Sequence, residues 1–284
     1  MINPEILQKI KLAPRFSEAA LKLIRLVGSG DYSAKDIIAT VKYDPRLTAL
    51  LLKLVNSAGF GLSRQIDSIH TAVVMLGARR IMAIVLEIYA KMYLDQPLAG
   101  YESSGLWQHS LRTALAAGQL AALVTPPQNR EGAFTAGILH DLGKLILSDS
   151  LGDTSHHFVH AIDKKRLPDY LAAEQEELGT DHGEVGEMLA RFWQLPEFLC
   201  QTMAYHHHPG QAPEEYRPIC YAIHLADIIA MLSYSDQGAD ALLYHLDPDY
   251  TAYLTLSVEQ LSRIIFEVDR EMVVIRSSMN DVGL

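Results

Sequence analysis

Thr135-Ala-Gly-Ile-Leu-His-Asp-Leu-Gly-Lys144 sets His140 and Asp141 side by side after a short apolar run. A neutral imidazole and a carboxylate together suit a divalent transition metal. Two adjacent ligands do not complete a site, so the pair requires partners from elsewhere in the chain. His109 precedes it, and His182, His206, His207 and Asp227 follow it. Each lies in an apolar, helix-patterned segment, where polar residues normally face water. These residues form the candidate ligand set.

Working outward, the pattern is helical throughout. Residues 132–147 are expected to form one helix carrying the pair, and 106–124 another carrying His109. Residues 167–179 form a helix that runs into Thr180-Asp-His182, and 183–193 a short one after it. Pro196 opens the helix that ends in Tyr205-His-His-His-Pro209, and 218–233 carries His224 and Asp227. Ser257-Val-Glu-Gln260 is a capping box for a last amphipathic helix, with Leu261, Ile264, Ile265, Val268 and Met272 inward. In the first half, Asn3-Pro4 and Asp44-Pro45 start helices with proline at the first turn. Ser17, the box Ser33 to Asp36, and Ser68 supply further caps. Residues 81–94 read as an apolar helix, and Pro97 and Gly100 close this half. No period-2 strand pattern stands out. The expected fold is all-α: an N-terminal helical bundle, 1–98, packed across an apolar interface on a C-terminal helical bundle, 99–284.

The chain has 284 residues, 49% of them hydrophobic, which suits a packed core rather than disorder. Its net charge of −10 argues against non-specific nucleic-acid binding, which needs a basic surface. The two cysteines, Cys200 and Cys220, form no CxxC pair, so a reducing compartment is expected. No leader pattern opens the chain. No run approaches the roughly 18 to 20 apolar residues of a membrane span. The expectation is a cytoplasmic protein.

The second half resembles the HD superfamily of metal-dependent phosphohydrolases, whose pattern maps onto His109, His140-Asp141 and Asp227. His182 and His206-His207 match the extra histidines of the HD-GYP branch, which cleaves cyclic di-GMP. The Gly-Tyr-Pro element of that branch is absent after His207. Over nearly the whole chain the sequence resembles the HDOD domain more closely. The matching segments are Tyr43-Asp-Pro-Arg-Leu-Thr48, Asn56-Ser-Ala-Gly-Phe-Gly61, Ile69 to Gly77, Asp181-His-Gly-Glu-Val-Gly186, Trp193-Gln-Leu-Pro196 and His206-His-His-Pro209.

This resemblance implies an all-α signalling output module with an HD-type metal site and no established catalytic activity. It implies a signalling protein as partner. The alternative is a metal-dependent phosphohydrolase acting on a nucleotide or another phosphate ligand. Convergence of His109, His140, Asp141, His182, His206, His207 and Asp227 would suffice for one or two ions of iron, manganese, zinc or nickel, with Asp141 as bridge and Lys144 aimed at a phosphate. A metal that only ties helices together is the structural counterpart of that reading. Plainer roles are expected for other residues: a solvent-facing His208, His224 as a satisfied core histidine, Glu184 as a surface charge, Trp107 and Trp193 as core aromatics. His156, His157 and His160 are expected on a solvated face, and helix capping is the competing role for His182.

Overall fold

The structure is a computed structural model that describes residues 3–13, 18–29, 32–42, 45–56, 66–77, 81, 84, 103–151, 168–233 and 245–282. The described residues form helices joined by turns, with no strand among them. In chain order they are α1 (Pro4–Leu12), α2 (Glu18–Ser29), α3 (Ala34–Val41), α4 (Pro45–Val55), α5 (Ile69–Leu76), α6 (Ser103–Leu120), α7 (Arg130–Leu139) and α8 (Leu142–Leu151). They continue with α9 (Tyr170–Leu178), α10 (His182–Phe192), α11 (Glu197–Tyr205), α12 (Arg217–Ser233) and α13 (Val258–Val282). No described helix is long and apolar enough to cross a membrane.

Local chemistry explains where these helices begin. Asn3 accepts the Glu5 N–H at 2.9 Å, with Pro4 at the first helical position. Ser33 and Asp36 cap α3 reciprocally. At α13 the Ser257 N–H donates to Gln260 Oε1 at 2.9 Å, and the Gln260 N–H to Ser257 Oγ at 3.1 Å. Gly77, at φ 81°, ends α5 in a conformation that only glycine adopts freely. Asn56 straps the start of the next segment by accepting the Ile66 N–H at 2.6 Å and donating to the Ile66 carbonyl at 2.7 Å.

One expectation is corrected. Residues 132–147 are two helices, α7 and α8, with the break at His140-Asp141. The imidazole of His140 turns back and donates from Nδ1 to the Gly137 carbonyl at 2.8 Å, so a side chain satisfies a helix-end acceptor. The Lys144 N–H then bonds the Asp141 carbonyl at 3.0 Å and starts α8.

α6 lies at the centre, packed on α7, α12 and α13. α10 packs on α8 and α11. The first half meets the second directly: α1 packs on α8 and α10, α2 on α7, and α13 reaches back to α4. Ile6 and Ile10 of α1 are buried. The expected boundary at 98/99, the helix over 81–94 apart from residues 81 and 84, the Ser17 cap and His156, His157 and His160 lie outside the described residues.

Two glycines in the opening stretch let neighbouring backbones come close. A Cβ on Gly137 would lie 2.5 Å from the Ala114 Cα of α6, and one on Gly143 would overlap the His182 carbonyl of α10. α6 carries His109 and α10 carries His182, so these glycines set how near both helices approach His140-Asp141. Gly143→Ala should therefore destabilise the fold by about 1–3 kcal/mol through overpacking. Gly118→Ala, whose Cβ would meet nothing closer than 3.4 Å, should be near neutral. Denaturant unfolding of the two variants checks this.

Candidate metal centre

Six helices and their ends deliver the predicted residues to one place. His109 comes from α6, His140 and Asp141 from the α7–α8 junction, and His182 from the first turn of α10. His206 and His207 follow the end of α11, and Asp227 comes from α12. None of these residues is more than 8% exposed. The structure thus brings together all seven residues named from sequence.

Asp141 is the hub. Its Oδ2 lies 3.5 Å from His109 Nε2 and 3.4 Å from His140 Nε2. Its Oδ1 lies 3.4 Å from His182 Nε2 and 3.6 Å from His206 Nε2. Neither oxygen accepts a hydrogen bond of good geometry from the described residues, although both are buried. The Lys144 ammonium sits 2.9 Å from Oδ2, close enough for an ion pair but off the hydrogen-bonding direction. Asp227 Oδ1 accepts from His109 Nε2 at 2.8 Å and lies 3.7 Å from His140 Nε2.

The imidazoles crowd one another. His182 Nε2 is 2.9 Å from His207 Nε2 and 3.3 Å from His206 Nε2, and His109 Nε2 is 3.3 Å from His140 Nε2. Lone pairs at such separations repel unless a proton or a cation lies between them. The opposite faces of three rings are already used. His140 and His206 donate from Nδ1 to the carbonyls of Gly137 at 2.8 Å and Met203 at 2.9 Å, and His182 donates to Glu174 at 2.8 Å. Each Nε2 is thereby the nitrogen turned into the cluster, where it would be the one to ligate a metal. The donors fall into two overlapping groups able to hold an ion: Asp141, His182, His206 and His207, and His109, His140 and Asp141. Imidazole with carboxylate is the donor chemistry of zinc, iron, manganese or nickel, so the residues present fit a divalent transition metal.

Burial opposes the ionised form of Asp141, yet His140 and Lys144 hold its carboxyl well below the usual carboxylate range. His109 and His140 do the same for Asp227. Burial pushes His206 down to about 4 and His207 well below its ordinary value, so both are neutral. His140 and His182 also lose solvation. Asp141 and Asp227 beside the first, and Glu174 beside the second, nevertheless raise both above the usual imidazole value.

The plainer expectations separate. His208 is exposed, and the Trp193 side chain is buried. The side chain of Trp107 lies outside what the structure describes. His224 donates from Nδ1 to the His206 carbonyl at 2.7 Å and accepts the Asp247 N–H at 2.9 Å, so both of its ring nitrogens are satisfied by backbone groups. Asp181, not His182, caps α10, accepting the Glu184 N–H at 2.9 Å. Glu184 is half-buried and accepts from the Thr180 hydroxyl at 2.6 Å. Glu174 was missed from sequence. Its signal was its position on the apolar stripe of α9, one turn after Tyr170 and one before Leu178.

The HDOD domain family matches residues 13–209. An uncharacterized protein of Treponema pallidum (strain Nichols) is 28% identical over 224 residues, which is 78% of this chain and 43% of that protein. The chain therefore spans less than half the length of that relative. An HDOD domain protein of unknown function from Geobacter sulfurreducens superposes with a TM-score of 0.70 at 23% identity, covering 98% of this chain and 99% of that one. A provisionally named phosphohydrolase from Shewanella amazonensis SB2B gives 0.63 at 23% identity, with 99% and 97% covered. A provisionally named signal transduction protein from Marinobacter aquaeolei VT8 gives 0.78 at 20% identity, with 99% and 65% covered. At these identities the solved structures share the fold.

A metal ion at Nε2 of His140 and His182 must displace the protons that their raised values favour. Metal affinity should therefore fall as pH drops from about 8 to about 6, across and above the ordinary histidine value of about 6.5. Calorimetric titration of the metal-free chain at both pH values, with buffer ionisation subtracted, measures this fall. Equal affinities would contradict it.

Proposed function

This chain belongs to the HDOD domain family, and from that premise we propose a signal-transduction module that carries a divalent transition metal and does not turn over a substrate. The observation that carries this reading is the burial of the ligand set. His140, His182 and His206 have no exposed surface, and the most open members, His109 and His207, are 8% exposed. A metal held there ties α6, the α7–α8 junction, α10, α11 and α12 together, as a structural site does. We assign the set His109, His140, Asp141, His182, His206, His207 and Asp227 as ligands for one or two ions. A signalling protein is the partner, and the cytoplasm is the location.

A second reading, metal-dependent phosphohydrolase, is favoured by Asp141 alone, whose two oxygens face two separate imidazole groups. Asp141 and the imidazoles on its two sides would hold the ions, which would supply a nucleophile from water and charge stabilisation for a phosphoryl group. Lys144 is the candidate phosphate contact, and it would have to turn from Asp141 to reach one. The segment after His207 argues against a cyclic dinucleotide. It folds as two short 3-10 turns, Pro209–Gln211 and Glu214–Tyr216, with Pro209 and Ala212 buried and Glu214 and Glu215 exposed. Arg217 donates to the Ala212 carbonyl at 2.9 Å and closes the segment on itself. The exposed carboxylates repel a phosphodiester.

Two outcomes follow. Chelation should lower the melting temperature of the metal-loaded chain by about 5–10 °C, the scale expected when a ligand at about 100 times its Kd is withdrawn from a domain of this size. Asp141→Ala should melt lower and be insensitive to chelator, and a melting curve that ignores chelator in the wild type would contradict the metal reading. Supplied with manganese, or with iron under anaerobic conditions, the chain should release no linear or mononucleotide product from cyclic di-GMP. Turnover abolished by Asp141→Ala would put the phosphohydrolase reading first.

A further inference from the structure

The histidines of the centre are not held alike. His140 and His206 direct Nδ1–H at backbone carbonyls. His182 directs its Nδ1–H at a carboxylate, Glu174 Oε2, at 2.8 Å, and the same oxygen accepts the His182 backbone N–H at 2.9 Å. His109, on the other side of Asp141, has a buried Nδ1 with no hydrogen-bond partner among the described residues.

The chain builds the Glu174 contact deliberately. Asp169 caps α9 by accepting the Ala172 N–H at 2.9 Å. Gly179, at φ 70° and ψ 15°, ends α9 in the left-handed conformation that glycine tolerates, and the chain turns at once into Asp181 and His182. Gln175 donates to Asp181 Oδ2 at 2.8 Å and pins the turn from the α9 side. Glu174 itself is fully buried. A desolvated carboxylate persists where a hydrogen-bonded, positively polarised group offsets its lost hydration. A carboxylate draws an imidazole proton more strongly than a carbonyl does, and raises the basicity of the opposite nitrogen. That nitrogen, His182 Nε2, faces Asp141 Oδ1, His206 and His207.

We propose that Glu174 is a positioning residue which, acting through His182, makes the group of Asp141 Oδ1, His182, His206 and His207 the first and tighter of two metal positions. The proposal rests on the metal-binding reading above. Three imidazoles and one carboxylate oxygen favour a nitrogen-preferring ion such as zinc, iron, cobalt or nickel there. The group of His109, His140, Asp141 Oδ2 and Asp227 is richer in oxygen and fills second.

Titration of the metal-free full chain with cobalt(II) tests this by calorimetry and by the visible absorption of the bound ion. Glu174→Gln keeps an oxygen to accept both His182 N–H groups and removes only the charge. It should weaken the first binding step by about 10- to 100-fold and shift the cobalt absorption, while the later step holds. Glu184→Gln, which removes a nearby carboxylate charge that lies outside the ligand set and is bonded to the Thr180 hydroxyl, should leave the first step unchanged. First-step affinity equal to wild type in Glu174→Gln overturns the proposal, as do equal losses at both steps or an equal first-step loss in Glu184→Gln. A wild-type chain that binds no cobalt overturns the metal reading itself, and this proposal with it. A reading without variants uses 15N-edited spectra of the zinc-loaded wild type. The Nδ1 proton of His182 should resonate downfield of those of His140 and His206, and a position at or upfield of theirs overturns the proposal.

Discussion

Asp141 carries an ionised carboxylate into the interior, and neither of its buried oxygens accepts a well-aligned hydrogen bond from the described residues. An uncompensated charge there would cost several kcal/mol, so the surroundings must answer it. They do so with the Lys144 ammonium on one flank and imidazole nitrogens on both faces. Those nitrogens are in turn aimed inward by acceptors behind the rings. The arrangement is coherent as a cation-binding device and frustrated without a cation, because several imidazole edges meet at hydrogen-bonding distance or closer to van der Waals limits.

Backbone packing depends on the same point. The helix break at His140-Asp141 lets the two residues project from a junction instead of a continuous cylinder. Gly137 and Gly143 then admit α6 and α10 at distances that a methyl group would forbid. A glycine on each side of the pair is thus a steric requirement for bringing His109 and His182 into range. The first half contributes to this from outside: α1 and α2 pack on α7, α8 and α10, the elements that carry or border the pair.

Much of this was legible in the sequence because its signals are local or chemical. Caps at Asn3, Ser33, Ser68 and Ser257 follow from side chains that bond backbone groups two or three residues away. The seven converging residues were legible because they are titratable groups that recur in apolar helical segments. The break between α7 and α8 was not, since the apolar pattern runs straight through it and only the His140 ring, bonded to Gly137, marks the end. Glu174 shares an acidic run with Glu176 and Glu177, which are exposed, so the run itself carries no signal of burial. Only its place on the buried stripe distinguishes it. The closeness at Gly143 depends on a helix nearly forty residues away, which no local pattern contains.

The most direct test of the central claim is an anomalous difference map from crystals of the chain, recorded at the absorption edge of the metal found in it. The account predicts a peak within about 2.0–2.3 Å of Asp141 Oδ1 and of the Nε2 atoms of His182, His206 and His207. A map with no peak between Asp141 and these histidines, in crystals grown with that metal supplied, would contradict it.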